Sequence, residues 1–127
     1  MNKIEVKLEY PLKTASINVL WNCIGTPLGL AEWFADVVNV NENLFTFGWK
    51  EHEQSANLLD SKINSHIRFQ WEVDTDTEYF FELKIVALQV TGDLALVITD
   101  FSEKGEEEDL KLLWDHQIEH LRRKTGI

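Results

Sequence analysis

Two histidines and a glutamate near the end of the chain have the spacing of a zinc-binding motif. His116, Glu119 and His120 match the pattern H-x-x-E-H, in which histidines four residues apart share one face of a helix and can bind zinc. The motif also needs a further ligand downstream, and no His, Cys, Asp or Glu follows His120. We therefore predict no metal site and interpret the segment as the solvated flank of a helix.

Ser16 and Cys23 are side chains whose chemistry would suit a nucleophile. Ser16 lacks the G-x-S-x-G setting that positions a catalytic serine. Cys23, the single cysteine, lies beside the apolar stripe of a predicted helix, as a small packed hydrophobic residue does. A lone cysteine also excludes an intramolecular disulfide. We predict no catalytic residue and no cofactor.

One amide stands among apolar neighbours near the end of the chain. Gln117 falls near the centre of the apolar stripe of the last predicted helix, and burying an amide without partners costs about 1–3 kcal/mol. Its partner is either a protein group or water, or else the polar end of a bound molecule. We predict that Gln117 borders any cavity present.

Aromatic side chains can supply the walls of such a cavity. The chain contains five Trp and seven Phe, and large rings around a curved sheet either leave a pocket for an apolar molecule or fill the core completely. Both alternatives stay open. The predicted cavity residues are Trp33, Phe34, Phe47, Trp49, Phe69, Trp71, Phe81, Trp114, Gln117, Ile118 and Leu121.

Two short helices follow the first strand. Residues 3–10 alternate apolar and charged side chains, which is typical of a half-buried strand. Thr14 can cap a helix that Gly25 ends, and Thr26 with Pro27 suits the start of a second helix.

Six strands are predicted next, at residues 37–40, 44–50, 54–63, 66–73, 78–88 and 94–101. In 66–73 the apolar face is formed by Ile67, Phe69, Trp71 and Val73. The pattern of 54–63 is too weak to define its inward face. Strand 78–88 has apolar side chains on both faces, with Phe80, Val86 and Leu88 on the second. Either loops or helix ends cover that outer face, or it forms a homodimer interface.

The longest helix is predicted at residues 106–124. Trp114, Gln117, Ile118 and Leu121 share its apolar side with Leu110 and Leu113. This helix is the large amphipathic element left to cover an antiparallel meander. We therefore expect one domain, residues 1–127, with an α+β fold in the order β-α-α-β6-α and a curved antiparallel sheet wrapped around the last helix.

Charge and hydropathy exclude several partners. The net charge of −10, from 22 acidic and 12 basic residues, would repel phosphate backbones and anionic lipid headgroups, so we predict no nucleic-acid and no membrane partner. No segment resembles a signal peptide or a membrane span, which indicates a cytoplasmic protein.

Three local patterns carry a resemblance to a known family. Residues 20–34 are similar to the helix pair of the START-like, Bet v 1-like (SRPBCC) superfamily, in particular of bacterial relatives of the C-terminal domain of the Hsp90 ATPase activator. Trp114, Ile118 and Leu121 are similar to that family's last helix, and Phe69, Gln70 and Trp71 to its aromatic mid-sheet strand. The resemblance spans nearly the whole chain.

The resemblance implies a helix-grip fold with a cavity between the sheet and the last helix. Members of the superfamily bind lipids, sterols or other apolar molecules, catalyse cyclisation or hydrolysis, or assist chaperones. Our first hypothesis is therefore a domain that binds a hydrophobic or amphipathic small molecule. The alternative is a co-chaperone or protein-interaction module without a cavity, although the chain has no room for the activator's separate N-terminal domain. A cyclase or hydrolase ranks third, because the inward strand positions supply almost no polar groups.

Overall fold

The computed structural model describes residues 2–127. The order of elements confirms the predicted α+β arrangement, with one short 3-10 turn, Glu72–Asp74, after the fifth strand. The strands are β1 Lys3–Leu12, β2 Val37–Asn41, β3 Leu44–Trp49, β4 His52–Lys62, β5 His66–Trp71, β6 Phe81–Ala87 and β7 Leu94–Glu103, and the helices are α1 Ile17–Gly25, α2 Pro27–Trp33 and α3 Glu107–Thr125.

The strands form one antiparallel sheet of seven, in the order β1-β7-β6-β5-β4-β3-β2. Strands β2 to β7 make a meander, and β1 pairs along β7 from Lys3 opposite Glu103 to Leu12 opposite Leu94. The register of β4 against β5 shifts between Leu58 and Asp60. This irregularity explains why residues 54–63 show no clean alternation, because a bulge reverses which side chains face inward.

Side-chain caps begin both short helices. The backbone N–H of Val19 donates to Ser16 Oγ at 3.3 Å, so Ser16, and not Thr14, is the N-cap of α1. Thr26 caps α2 as predicted, since it accepts from Gly29 N at 3.0 Å. A Cβ on Gly29 would lie 1.7 Å from the carbonyl oxygen of Asn22, so the close approach of the two helices requires glycine.

The connection between β5 and β6 differs from the predicted strands. Strand β5 ends at Trp71, and Val73 lies in the 3-10 turn with 86% of its surface exposed, so its assignment to the inward face was wrong. Thr75 N donates to the carbonyl of Glu72 at 3.1 Å. Such local bonds replace the sheet ladder, and β6 consequently starts at Phe81 rather than at residue 78.

Helix α3 lies against the sheet and is fixed to its first strand. Ile118 and Leu121 are buried in the same hydrophobic core as the inward side chains of the sheet. Tyr10 Oη donates to Asp115 Oδ1 at 2.6 Å, and Arg122 Nη2 donates to the carbonyl of Pro11 at 3.0 Å. Within residues 2–127, no helix combines the length and the apolar character needed to cross a bilayer.

Candidate functional site

A pocket of about 480 Å³ lies beside the first half of α3. Leu113, Trp114 and Gln117 form its helical wall, and Trp49 and Trp71, from the ends of β3 and β5, line the sheet side. The walls are therefore largely aromatic and apolar, which suits contact with an apolar molecule.

Phe34 connects the pocket to the core. It is the C-cap residue of α2, and its ring lies 5.8 Å from Trp49 and 5.9 Å from Trp114, centroid to centroid. Its carbonyl oxygen accepts hydrogen bonds from Trp49 Nε1 at 3.0 Å and from Gln117 Nε2 at 3.3 Å. Gln117 therefore lies in the pocket wall, half-buried, with a backbone partner for its amide nitrogen.

The structure separates the predicted cavity residues into two groups. Phe34, Trp49, Trp71, Trp114 and Gln117 come together in the pocket wall. The remaining members are buried in the core and do not line this pocket: Trp33, Phe47, Phe69, Phe81, Ile118 and Leu121.

Asp100 is a pocket residue that the sequence reasoning missed. Its carboxylate is half-buried and accepts from Trp114 Nε1 at 2.9 Å and from Phe101 N at 2.7 Å. Burial raises the pKa of the Asp100 carboxyl above its ordinary value, and these two hydrogen bonds oppose the increase. The expectation that the strands supply almost no inward polar groups was wrong at Asp100. The alternation of Leu96 and Ile98 already indicates that the Asp100 side chain faces inward.

Other polar side chains surround the same pocket. Lys3 and Asp74 belong to its lining, and the ammonium of Lys3 lies 5.4 Å from the centre of the Tyr79 ring. At the sheet side, the imidazole of His52 stacks on Trp49 with centroids 5.0 Å apart. The pocket thus combines apolar walls with a few charged and polar groups.

The residues considered for metal binding and nucleophilic chemistry lie outside this pocket. His116 and His120 are neighbours on α3, with ring centroids 4.9 Å apart, and among residues 2–127 no three His, Cys, Asp or Glu side chains gather around a common point. The hydroxyl of Ser16 serves as a helix cap. Cys23 is buried, and burial raises the pKa of its thiol.

The whole chain, residues 1–127, matches the family model of the START-like superfamily domain. The chain belongs to the START-like superfamily. This confirms the resemblance carried by the two short helices, the aromatic strand and the last helix. It also accounts for the helix-grip arrangement of sheet and terminal helix seen in the structure.

Solved structures of other proteins share this fold. A solution structure of a protein from Bacteroides fragilis is 45% identical, with a TM-score of 0.68 and coverage of 97% of this chain and 91% of that chain. The Aha1 dimer from Colwellia psychrerythraea is 11% identical, with a TM-score of 0.79 and coverage of 98% and 97%. A protein from Mesorhizobium loti is 13% identical, with a TM-score of 0.74 and coverage of 94% and 95%. A comparison with curated proteins finds no match.

Proposed function

We propose that this START-like domain binds a hydrophobic or amphipathic small molecule in the pocket beside α3. The observation that carries the proposal is the volume of about 480 Å³, which falls within the roughly 300–1,000 Å³ typical of ligand sites. Burial of apolar ligand surface against Trp49, Trp71 and Trp114 supplies affinity, and the few polar groups set orientation.

The pocket also separates this proposal from the co-chaperone alternative. That alternative expects a filled core, whereas the aromatic side chains here leave space between α3 and the ends of β3 and β5. The Colwellia Aha1 structure is 11% identical to this chain, so it supports a common fold and carries no argument for a common partner.

Titration with Nile red, an uncharged apolar dye, tests the proposal. Leu113 lines the pocket and Leu112 does not, yet each is 57% exposed on the same helix. Leu113→Asp places a short charged side chain in the apolar wall and is expected to weaken binding about tenfold, the equivalent of one buried leucine contact. Leu112→Asp adds the same charge outside the pocket and should leave the affinity unchanged.

Fluorescence of the dye gives both dissociation constants, and circular dichroism checks that each variant is folded. Failure of the wild-type domain to bind the dye and other uncharged apolar molecules would refute the proposal. Equal weakening by the two substitutions would also count against it, because the dye would then bind at a surface other than the pocket.

Two other expectations remain predictions. A homodimer through the outer face of the predicted strand 78–88 is supported by Phe80, Val86 and Leu88, which are only half-buried. The Phe80 ring is already covered in part by Phe101, at 5.1 Å between centroids, and by the guanidinium of Arg68 at 4.0 Å. Light scattering at high protein concentration distinguishes monomer from dimer. A cytoplasmic location is likewise a prediction.

A further inference from the structure

Asp100 brings a negative charge into a wall that is otherwise mainly aromatic. An ionised carboxylate offers about four acceptor sites, and Trp114 Nε1 and Phe101 N occupy two of them. Among residues 2–127, no lysine, arginine or histidine nitrogen lies within 4.0 Å of this carboxylate. The carboxylate therefore retains acceptor capacity that no cationic side chain of the described residues uses.

One tryptophan contacts this charge, and a second lines the same pocket. The Trp114 indole donates directly to Asp100, and Trp71 and Trp114 both contact Phe81, at 4.9 Å and 6.1 Å between ring centroids. The face of an indole attracts an organic cation more strongly than any other side-chain ring does. A carboxylate beside such rings is a favourable environment for a positively charged group.

The other charged side chains of the pocket lining also favour a positively charged ligand. Asp74 adds a second carboxylate, whose negative charge contributes to the raised pKa of Asp100. The ammonium of Lys3 carries the opposite charge to both carboxylates. It is a single positive charge against two negative ones, and it lies over the Tyr79 ring. An anionic headgroup placed beside Asp100 would have to share a poorly solvated site with a like charge, which is strongly unfavourable.

We propose that the ligand is a cationic amphiphile, whose ammonium group binds the Asp100 carboxylate and whose apolar part lies against the aromatic walls. This inference rests on the proposed ligand-binding function and specifies the chemical class of the ligand. Apolar contact supplies the bulk of the affinity, and the charge-assisted hydrogen bond to Asp100 selects the headgroup.

Three probes with the same alkyl chain separate the two contributions. Decylammonium, decanol and decanoate are titrated below their aggregation concentrations at neutral pH, with calorimetry or intrinsic tryptophan fluorescence as the readout. The ammonium is expected to bind at least about tenfold more tightly than the alcohol, as one charge-assisted hydrogen bond requires. Decanoate should bind most weakly.

Variants of two aspartates identify the group responsible. Asp100→Asn should remove the preference for the ammonium over the alcohol. Asp115→Asn is the matched control, since Asp115 lies on α3 outside the pocket and its substitution also removes one negative charge. The preference for the ammonium should persist in this variant. Asp74→Asn, in the pocket lining, should reduce the preference for the ammonium over the alcohol, and it remains informative if Asp100→Asn does not fold.

The outcomes distinguish the inference from the function on which it rests. If none of the three probes binds, the proposed function fails. If all three bind with similar affinity, the pocket binds apolar molecules and the cationic headgroup is refuted. Unchanged ammonium binding in folded Asp100→Asn and Asp74→Asn variants would also refute it.

Discussion

The two halves of α3 face different surroundings. Its C-terminal half contributes Ile118 and Leu121, which are 1% and 0% exposed, whereas Leu113 in the N-terminal half is 57% exposed and borders the pocket. Both halves belong to one continuous amphipathic stripe. What differs is the structure opposite each half, so the stripe by itself does not determine whether a side chain fills a core or lines a pocket.

The short helices account for the difference. Helix α2 packs against α3, and α1 packs against β5 and β6, so Leu20, Ile24 and Leu30 fill space next to the sheet with almost no exposed surface. Among the described residues, the pocket receives nothing from α1 and only Phe34 from the end of α2. Side chains of the short helices thus complete the core at the closed end, and the pocket end receives almost none of them.

Leu121→Ala tests the closed end and should have the largest effect. Removing a fully buried leucine side chain leaves a cavity in packed surroundings and is expected to lower the free energy of unfolding by about 2–5 kcal/mol. Leu113→Ala, on the same helix, should change it by about 0.5 kcal/mol or less, as at an exposed position. Urea denaturation measures both. Similar losses at the two positions would show that the halves do not differ in packing.

Tyr10→Phe tests the bond that fixes α3 to β1 between these halves. The Tyr10 hydroxyl donates to Asp115 Oδ1 at 2.6 Å, and Asp115 also accepts from Lys111 Nζ at 2.8 Å. Losing one hydrogen bond to a charged group should cost about 1.5–3 kcal/mol when it is well buried, and nearer 1 kcal/mol at this half-buried site.

A double-mutant cycle of Tyr10→Phe with Asp115→Ala isolates that pairwise energy. Thermal or urea unfolding of the four proteins supplies the values. Additive losses, with no coupling energy, would mean that the hydroxyl and the carboxylate do not stabilise each other and that packing alone holds α3 in place.

The order of elements was predictable from the sequence because its signals are local. Thr26 followed by Pro27 predicts the start of α2, since a cap and a first-turn proline act within four residues. The alternation of residues 3–10 and the stripe of residues 106–124 similarly depend on neighbouring positions only. Ser16 and Thr14 are both suitable caps by residue type, and the choice between them depends on where α1 begins.

The pocket was harder to predict because it depends on distant packing. Phe69 and Trp71 alternate identically on β5, yet Phe69 is fully buried and Trp71 lines the pocket. Their difference arises from the helices that pack over the sheet, of which α1 contacts β5, and no local pattern encodes this placement. Asp100 is the intermediate case. The alternation of side chains along β7 predicts that Asp100 faces inward. Only the structure shows that the Trp114 indole donates to its carboxylate.

Asp100→Asn tests the pocket end and should have the smallest effect on stability. The comparison is between the pH dependence of the free energy of unfolding of this variant and that of the wild-type domain. Because burial raises the pKa of Asp100 in the folded state, the folded protein binds more protons than the unfolded chain between the ordinary carboxyl pKa and the raised value. The contribution of Asp100 to wild-type stability therefore falls as pH rises through that window and is level above it. Asp100→Asn cannot titrate, so its stability relative to wild type should increase over the same window.

The charged neighbours define the control for this experiment. The negative charge of Asp74 raises the pKa of Asp100, and the positive charge of Lys3 lowers it, so Asp74→Asn should shift the wild-type slope to lower pH without removing it. Urea denaturation at intervals across the acidic range measures each slope. If wild type and Asp100→Asn respond to pH in the same way, the carboxylate is solvated as at an ordinary surface, and the pocket end carries no buried charge for a cationic ligand to neutralise.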